Sequence, residues 1–539
     1  MNVRSDIRAG DAVCVRSERR FEAVDYLLFA ALSLAGAAAL GYLGIKWVDD
    51  PDVRQSPLFW FVSIHGTLAL LMYGARWLAL PTMSVPQELE PAIGLKVAVA
   101  TTFVADAEPL EMLEETLRSL VALDYPHETW VLDESDEAQV RELCEVLGAR
   151  HFSRKRMPQY QARRGRFKAR SKHGNYNAWL HEIAFDHYDV VVAFDPDHIA
   201  RRDYLLRLLG YLRDPAVGYV QAGQFYYNQS ASLVARGAAE ETYAFYSSIQ
   251  MATYANGYPI VIGCHNVHRV EALREVGGFP DHDADDLLLT ICYRAHGWAG
   301  VYVPRRLAVG LTPVDWAGYL QQQRRWARSV LDVKLHRFPR LAPRLPMKER
   351  LISFLHGLYY FHGIATAAAL GVLASILATG NRVIPSGVLS WRVLLPLILV
   401  FLAADLFRQR FHVLPREEFG LHWRASLVRY AKWPWVAVAA LDLVRGWRPA
   451  YAVTLKLPRS RRTMTTLPHL VSSFVLAATW LLGRWNGVAA GPAHAIAAGL
   501  LLTTLLLVVS EVIPAPAPFD AQLARGAADR LQSEDARDR

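Results

Sequence analysis

The chain has 539 residues, 52% of them hydrophobic, and a net charge of +8; a mean hydropathy of +0.11 is high for a purely soluble protein. That length allows more than one structural unit, and the charge suits either nucleic-acid binding or a membrane protein with Lys and Arg on its cytoplasmic loops. Cys14, Cys144, Cys264 and Cys292 form no CxxC pair or metal-ligand spacing in sequence, which argues against a disulfide framework and for a reducing compartment.

Crossing roughly 30 Å of hydrocarbon takes about 20 mostly apolar residues. Such segments lie at 26–44, 58–80, 351–379, 393–407, 467–483 and 493–513, so six spans are expected. Arg4, Arg8, Arg16, Arg19 and Arg20 precede the first, which has no small-residue cleavage site. This reads as an uncleaved anchor with a cytoplasmic N-terminus. Residues 1–80 then comprise a cytoplasmic segment and two membrane helices. Residues 81–346 contain no spanning segment and are charged throughout, so they form a cytoplasmic domain with interfacial helices at its end. Residues 347–513 return to the membrane; the run 433–443 is too short to cross and reads as an interfacial helix. The tail 514–539, rich in Ala, Arg and Asp, is expected to be disordered.

Within 81–346, strand and helix patterns alternate. "LKVAVATTFV" reads as a buried strand, and "PLEMLEETLRSLVAL" puts Leu110, Leu113, Leu117 and Leu120 on one helical face. "TWVLDES" is a second strand ending in Asp133. The helix "EAQVRELCEVLG" follows, with Gly148 as its C-cap. "GNYNAWLHEIAFD" then leads into the strand of "VVVAFDPDH", which ends in Asp195, Pro196 and Asp197. The order βαβαβ predicts an α/β domain with a mostly parallel sheet covered by helices on both faces. Ligands gather at the carboxyl ends of such strands, where Asp133, Asp195 and Asp197 fall. One acidic residue after a strand is commonly a turn or cap. Two such ends, one carrying Asp-x-Asp, suit a hard divalent cation with phosphate oxygens as co-ligands.

Further on come "HDADDLLLTICYRAHGW" and "DWAGYLQQQRRWARS". With the Asp pair, these resemble the membrane-embedded family 2 glycosyltransferases, the cellulose, hyaluronan and chitin synthase-like enzymes. Their pattern of strand-end Asp, Asp-x-Asp, Thr-Glu-Asp and Gln-x-x-Arg-Trp corresponds here to Asp133, Asp195 and Asp197, Asp285 and Asp286, then Gln322, Arg325 and Trp326. "KHGNYN" resembles the family's Lys-x-Gly-Asn-x-Asn element, and "YAVTLK" at 451–456 resembles the Phe-x-Val-Thr-x-Lys gating loop of cellulose synthases. There are departures. Thr-Glu-Asp is replaced by Ala284-Asp285-Asp286, Asp-Asp-Gly by Asp133-Glu134-Ser135, and "GCHNVHR" stands where many relatives have Gly-Thr/Ser-Asn/Ala. The region after Lys456 is too short for the cyclic-di-GMP-binding barrel of bacterial cellulose synthases, which puts cellulose and that mode of control in doubt.

The resemblance implies a GT-A-like cytoplasmic domain, a polytopic helical membrane region, and a multi-pass protein of the bacterial inner membrane. It implies inverting, processive transfer from a nucleotide sugar, with UDP-glucose the best match to the gating loop, into a β-linked polysaccharide passed across the bilayer. Asp286 is then the general base. Asp195 and Asp197 hold Mg²⁺ or Mn²⁺, which neutralises the leaving diphosphate. Thr102, Glu108, Asp133, Lys172, Arg325, Thr454 and Lys456 contact the donor, while Asp285, Gln322, Trp326 and His265 face the acceptor. Partners beyond donor and polymer are the lipid bilayer and accessory periplasmic export proteins. The basic run from Arg154 to Lys172 reads first as a solvated loop facing anionic lipid. Its few aromatics, Tyr160 and Phe167, argue against nucleic acid. The alternatives are a non-processive transferase adding one sugar to a lipid carrier, a hyaluronan- or chitin-type synthase using another UDP-sugar, and a non-enzymatic transporter or receptor, which leaves the ordered acidic motifs unexplained.

Overall fold

The computed structural model describes residues 14–380, 384–447, 464–488 and 491–538. Two long apolar helices come first, α1 (Ala23–Val48) and α2 (Pro57–Ala79). The α/β domain follows with β1 (Val97–Phe103), α3 (Leu110–Val121), β2 (His127–Asp133), α4 (Ala138–Leu147), β3 (Arg150–Phe152), α5 (Lys172–Trp179) and β4 (Val190–Phe194). The short β5 (Ile199–Ala200) leads to β6 (Val217–Ala222), β7 (Phe225–Tyr226), α6 (Leu233–Ala244), β8 (Asn266–Arg269), α7 (Asp285–Ala295), β9 (Ala299–Val303), β10 (Ala308–Gly310) and α8 (Trp316–Asp332). The main sheet has seven strands in the order β9-β6-β8-β4-β1-β2-β3. All its pairings are parallel except the two made by β8, which runs against β4 and β6.

A parallel strand covered on both faces needs apolar residues at every position. β4, "VVVAF", is buried throughout. Val190, Val192 and Phe194 pack on one face with Tyr204, Leu205 and Leu208, while Val191 and Ala193 pack on the other with Tyr176, Trp179 and Leu180. The sequence therefore fixes strand and layers together. Gly148 takes φ 74 as the left-handed cap of α4, as its position predicts.

Beyond the domain lie α9 (Met347–Leu358), α10 (His362–Thr379), α11 (Trp391–Gln409), α12 (Trp423–Ala431), α13 (Trp433–Val444), α14 (Leu467–Trp485), α15 (Gly491–Val512) and α16 (Ala521–Asp538). Among the described residues, four helical stretches are long and apolar enough to cross a membrane: Ala23–Val48, Pro57–Thr82, Met347–Thr379 and Gly491–Val512. The other two expected spans are helical as α11 and α14 but carry polar groups near their ends, Asp405 and Arg408 in one and His469 and Arg484 in the other. α13 has the expected length of a non-spanning helix. Its Val436 and Ala439 pack on Ala327 of α8.

The tail departs from expectation. Residues 521–538 form α16, whose Ala524, Ala527 and Leu531 pack against Ile199, Phe225 and Val309. Arg525 Nε donates to Glu115 Oε1 at 2.7 Å. The overall composition is polar, yet these three apolar residues share one helical face, enough to dock on the small sheet β5-β10-β7 just behind Asp195 and Asp197.

Candidate active site

Register brings the carboxyl ends of the strands together. Thr101 of β1 stands opposite Phe194 of β4, and Phe103 stands opposite Asp133 of β2. At that edge opens a cavity of 2630 Å³. Thr102, Glu108, Lys172, Asp195, Asp197, Asp285, Asp286, Gln322, Arg325 and Trp326 all line it. Residues more than 220 positions apart thus share one space, as the motif order predicts.

Lys172, the first residue of α5 after its Ser171 cap, donates from Nζ to Asp195 Oδ1 at 2.5 Å and to the Gly263 carbonyl at 2.6 Å. Burial disfavours the ammonium, but Asp195 outweighs it and holds the lysine well above its ordinary range. Gly263 packs against both groups: a Cβ there would make ordinary contacts, 3.5 Å from Asp286 Oδ2 and 4.0 Å from Lys172 Nζ. Asp285 and Asp286 open α7, where acidic residues suit the positive end of a helix. Asp286 Oδ1 accepts from the Leu287 N–H at 2.7 Å. Burial, then the neighbouring Asp285, push the Asp286 carboxyl up to about 6.

Gln322, Arg325 and Trp326 sit on α8, which Asp315 caps by accepting from the Gly318 N–H at 2.6 Å. Two anchors fix this helix. Trp316 Nε1 donates to Ser510 Oγ of α15 at 2.9 Å. Glu241 of α6 accepts from Tyr319 at 2.7 Å, from Tyr359 at 2.8 Å and from Lys432 Nζ at 2.6 Å. Burial raises the Glu241 pKa, but Lys432 dominates and the carboxyl falls to about 2. A single imidazole links α8 to the start of α7. His282 Nε2 lies 2.8 Å from Asp332 Oδ2, and its Nδ1 accepts from the Ala284 N–H at 3.0 Å.

Several placements differ from expectation. Asp133 is fully buried and does not line the cavity. Its oxygens accept from the N–H groups of Ser135 (2.8 Å) and Glu137 (2.7 Å), and His151 Nε2 lies 3.2 Å away. The carboxylate is thus committed to shaping the loop, and the cavity instead meets Glu134, Ser135 and Glu137. His265 is also fully buried, its ring 4.4 Å from that of His198, and it lies away from the acceptor space. Thr454 and Lys456 fall outside the described residues. The basic run is not uniformly solvated. Arg154 is buried, donating to Glu134 at 2.9 and 3.0 Å and to the Tyr160 carbonyl at 3.1 Å, while Lys155, Arg170 and Lys172 line the cavity. Motif reading passed over His198, Glu134, Glu241 and His282. His198 adjoins the Asp pair, Glu134 adjoins Asp133 and His282 opens the "HDADD" stretch, so Glu241 alone of these four had no local signal.

The strand order and this edge-sited acidic cavity define a GT-A-like α/β domain joined to candidate membrane helices. Residues 97–329 match the family model "Glycosyltransferase like family 2". The chain is 25% identical over 266 residues to the cellulose synthase catalytic subunit (UDP-forming) of Xanthomonas axonopodis pv. citri, covering 48% of this chain and 35% of that protein. It is 25% identical over 263 residues to glucomannan 4-beta-mannosyltransferase 1 of Cyamopsis tetragonoloba, covering 47% and 48% respectively. The chain thus spans between a third and a half of the length of these relatives. Mannosyltransferase PcManGT from Pyrobaculum calidifontis, solved with GDP-Man and Mn²⁺, is 20% identical with a TM-score of 0.49, covering 72% of this chain and 99% of that one. The chain carries a family 2 glycosyltransferase domain and is distantly related to the cellulose synthases.

Proposed function

We propose that this chain is an inverting, processive glycosyltransferase of a bacterial inner membrane. It polymerises a nucleotide sugar, with UDP-glucose the first candidate, and passes the β-linked chain between its membrane helices. The observation that carries this reading is the continuity of the cavity. The space that meets Asp195, Asp286 and Trp326 also meets Leu32 and Gly36 of α1, Phe61 and His65 of α2, Ala365 of α10 and Phe401 of α11. Its volume exceeds the roughly 300–1,000 Å³ of a typical small-molecule site, leaving room for an acceptor chain beside the donor.

The chemistry follows from the residues. Asp286, with a raised pKa, removes the acceptor hydroxyl's proton as that oxygen attacks the anomeric carbon. The glycosyl–phosphate bond breaks and the nucleoside diphosphate leaves. Asp195 and Asp197 suit a divalent cation, Mg²⁺ or Mn²⁺, which supplies charge neutralisation to that diphosphate. Lys172 adds a fixed positive charge beside Asp195, and Arg325 offers a fork-shaped donor to phosphate. Trp326 presents a flat apolar face to the terminal sugar of the acceptor, with Gln322 one turn earlier as a hydrogen-bonding partner.

The test is a panel of radiolabelled nucleotide sugars given to purified protein with Mg²⁺ or Mn²⁺, followed by linkage-specific glycanases. Incorporation that disappears in Asp286→Asn supports the reading. Unchanged nucleotide release by that variant counts against Asp286 as base, and no turnover of any donor defeats the enzymatic reading.

A further inference from the structure

The two carboxylates assigned to the donor cation are placed only as well as the backbone between them. Asp195, Asp197 and His198 each present a ligand atom, and these atoms lie within 4.8 Å of one another, close enough to meet a single divalent cation. The link between the carboxylates is one residue, Pro196. Its ring holds φ at about −65°, so the peptide plane that leads into Asp197 turns on one soft dihedral, the ψ of Pro196. The Pro196 carbonyl lies in that plane. Thr116 Oγ1 of α3 donates to this carbonyl at 2.7 Å, across 80 positions of sequence. Thr116 is 1% exposed and shares the buried face of α3 with Leu113, Leu117 and Leu120. A threonine in mid-helix ordinarily returns its hydroxyl to a carbonyl of the preceding turn. This one reaches across to the loop instead.

The far end of the loop is held by contacts of the same kind. Ser119, one turn further along α3, accepts from the Ala200 N–H at 3.1 Å. Gln532 of α16 donates from Nε2 to the Ala200 carbonyl at 3.2 Å, and its Oε1 accepts from the Arg202 N–H at 3.0 Å. β5 is an edge strand of its three-stranded sheet, and these side chains satisfy backbone groups along the edge that no strand covers. Arg525 of α16 reaches Glu115, the neighbour of Thr116, so the two helices grip the loop together.

We propose that Thr116 is a positioning residue for the donor cation: its hydrogen bond to Pro196 sets the relative placement of Asp195 and Asp197, while Ser119 and Gln532 hold the loop's far end. The proposal rests on the reading of that pair as the cation carboxylates. It goes beyond it by assigning their geometry to groups that touch neither cation nor sugar.

The test titrates Mn²⁺ alone into the full chain purified in detergent and reads free Mn²⁺ by electron paramagnetic resonance. Thr116→Val removes the donor while keeping the side chain's shape, and is expected to weaken Mn²⁺ binding about tenfold; Thr116→Ser restores it to within about twofold. In hydrogen exchange followed by mass spectrometry, the segment 195–200 is expected to exchange about tenfold faster in Thr116→Val, with β1 unchanged. If Thr116→Val does not fold, Gln532→Ala carries the test from the other end, on a partly exposed side chain, with a loss of Mn²⁺ affinity of about threefold. Mn²⁺ affinity unchanged in these variants, or not restored by Thr116→Ser, overturns the proposal, as does a wild type that holds no Mn²⁺. Thr116-dependent Mn²⁺ binding without transfer from any donor upholds the clamp and removes the functional reading; sugar transfer whose Mn²⁺ requirement ignores Thr116 does the reverse.

Discussion

Asp286 combines position and charge. A base with a pKa of about 6 is protonated below that pH, so kcat/KM for the free enzyme is expected to rise with pH through about 6 and level off above it. Asp286→Asn is expected to lower kcat by about 10²–10⁴-fold, read by steady-state transfer. The same substitution has a stability signature. A carboxyl raised above its unfolded value destabilises the fold once pH exceeds that unfolded value, and the cost is complete above about 6. Asp286→Asn should therefore melt at a higher temperature than the wild type at pH 8 and at nearly the same temperature at pH 4. Not every acidic residue at a strand end carries chemistry: Asp133 and Asp195 look alike in sequence, yet Asp133 is consumed by the N–H groups of Ser135 and Glu137. Partners two and four residues away decide that difference, and no spacing rule reveals them.

At the scale of elements, polar links to several neighbouring segments hold α8 in place. His282 ties Asp332 at the end of α8 to Ala284 at the mouth of α7. His282→Ala is expected to lower kcat about tenfold with donor affinity unchanged, because it loosens the relation of base to acceptor without touching the diphosphate; calorimetry of donor binding beside single-turnover transfer checks it. Glu241, its side chain 10% exposed, is an anion shared by Lys432, Tyr319 and Tyr359. Glu241→Ala leaves Lys432 buried and uncompensated, and a loss of about 3 kcal/mol is expected in denaturant unfolding. The βαβαβ core was legible in the sequence because a strand buried on both faces writes itself as an unbroken apolar run, as in "VVVAF". α16 was not, because its docking face rests on Ala524, Ala527 and Leu531 within a charged segment. The Glu241 and His282 links were not either, since each joins residues 50 or more positions apart through side-chain contacts alone, apart from the local bond to Ala284.

Across the whole molecule, the carboxyl edge of the sheet, the amphipathic α8 and the candidate membrane helices share one continuous space. α16 closes the opposite side of the domain, covering Ile199, Phe225 and Val309. Truncation after residue 514 exposes that apolar surface and is expected to lower the melting temperature by several degrees, with a cost of roughly 1–3 kcal/mol. The central claim is that one cavity serves both synthesis and export. The most direct test reconstitutes the purified chain in sealed vesicles with its catalytic domain outward and supplies labelled UDP-glucose outside. The account predicts polymer of many sugars that resists external glycanase until detergent opens the vesicle. Label found only as single sugars on lipid, or polymer wholly degraded from outside, would contradict it.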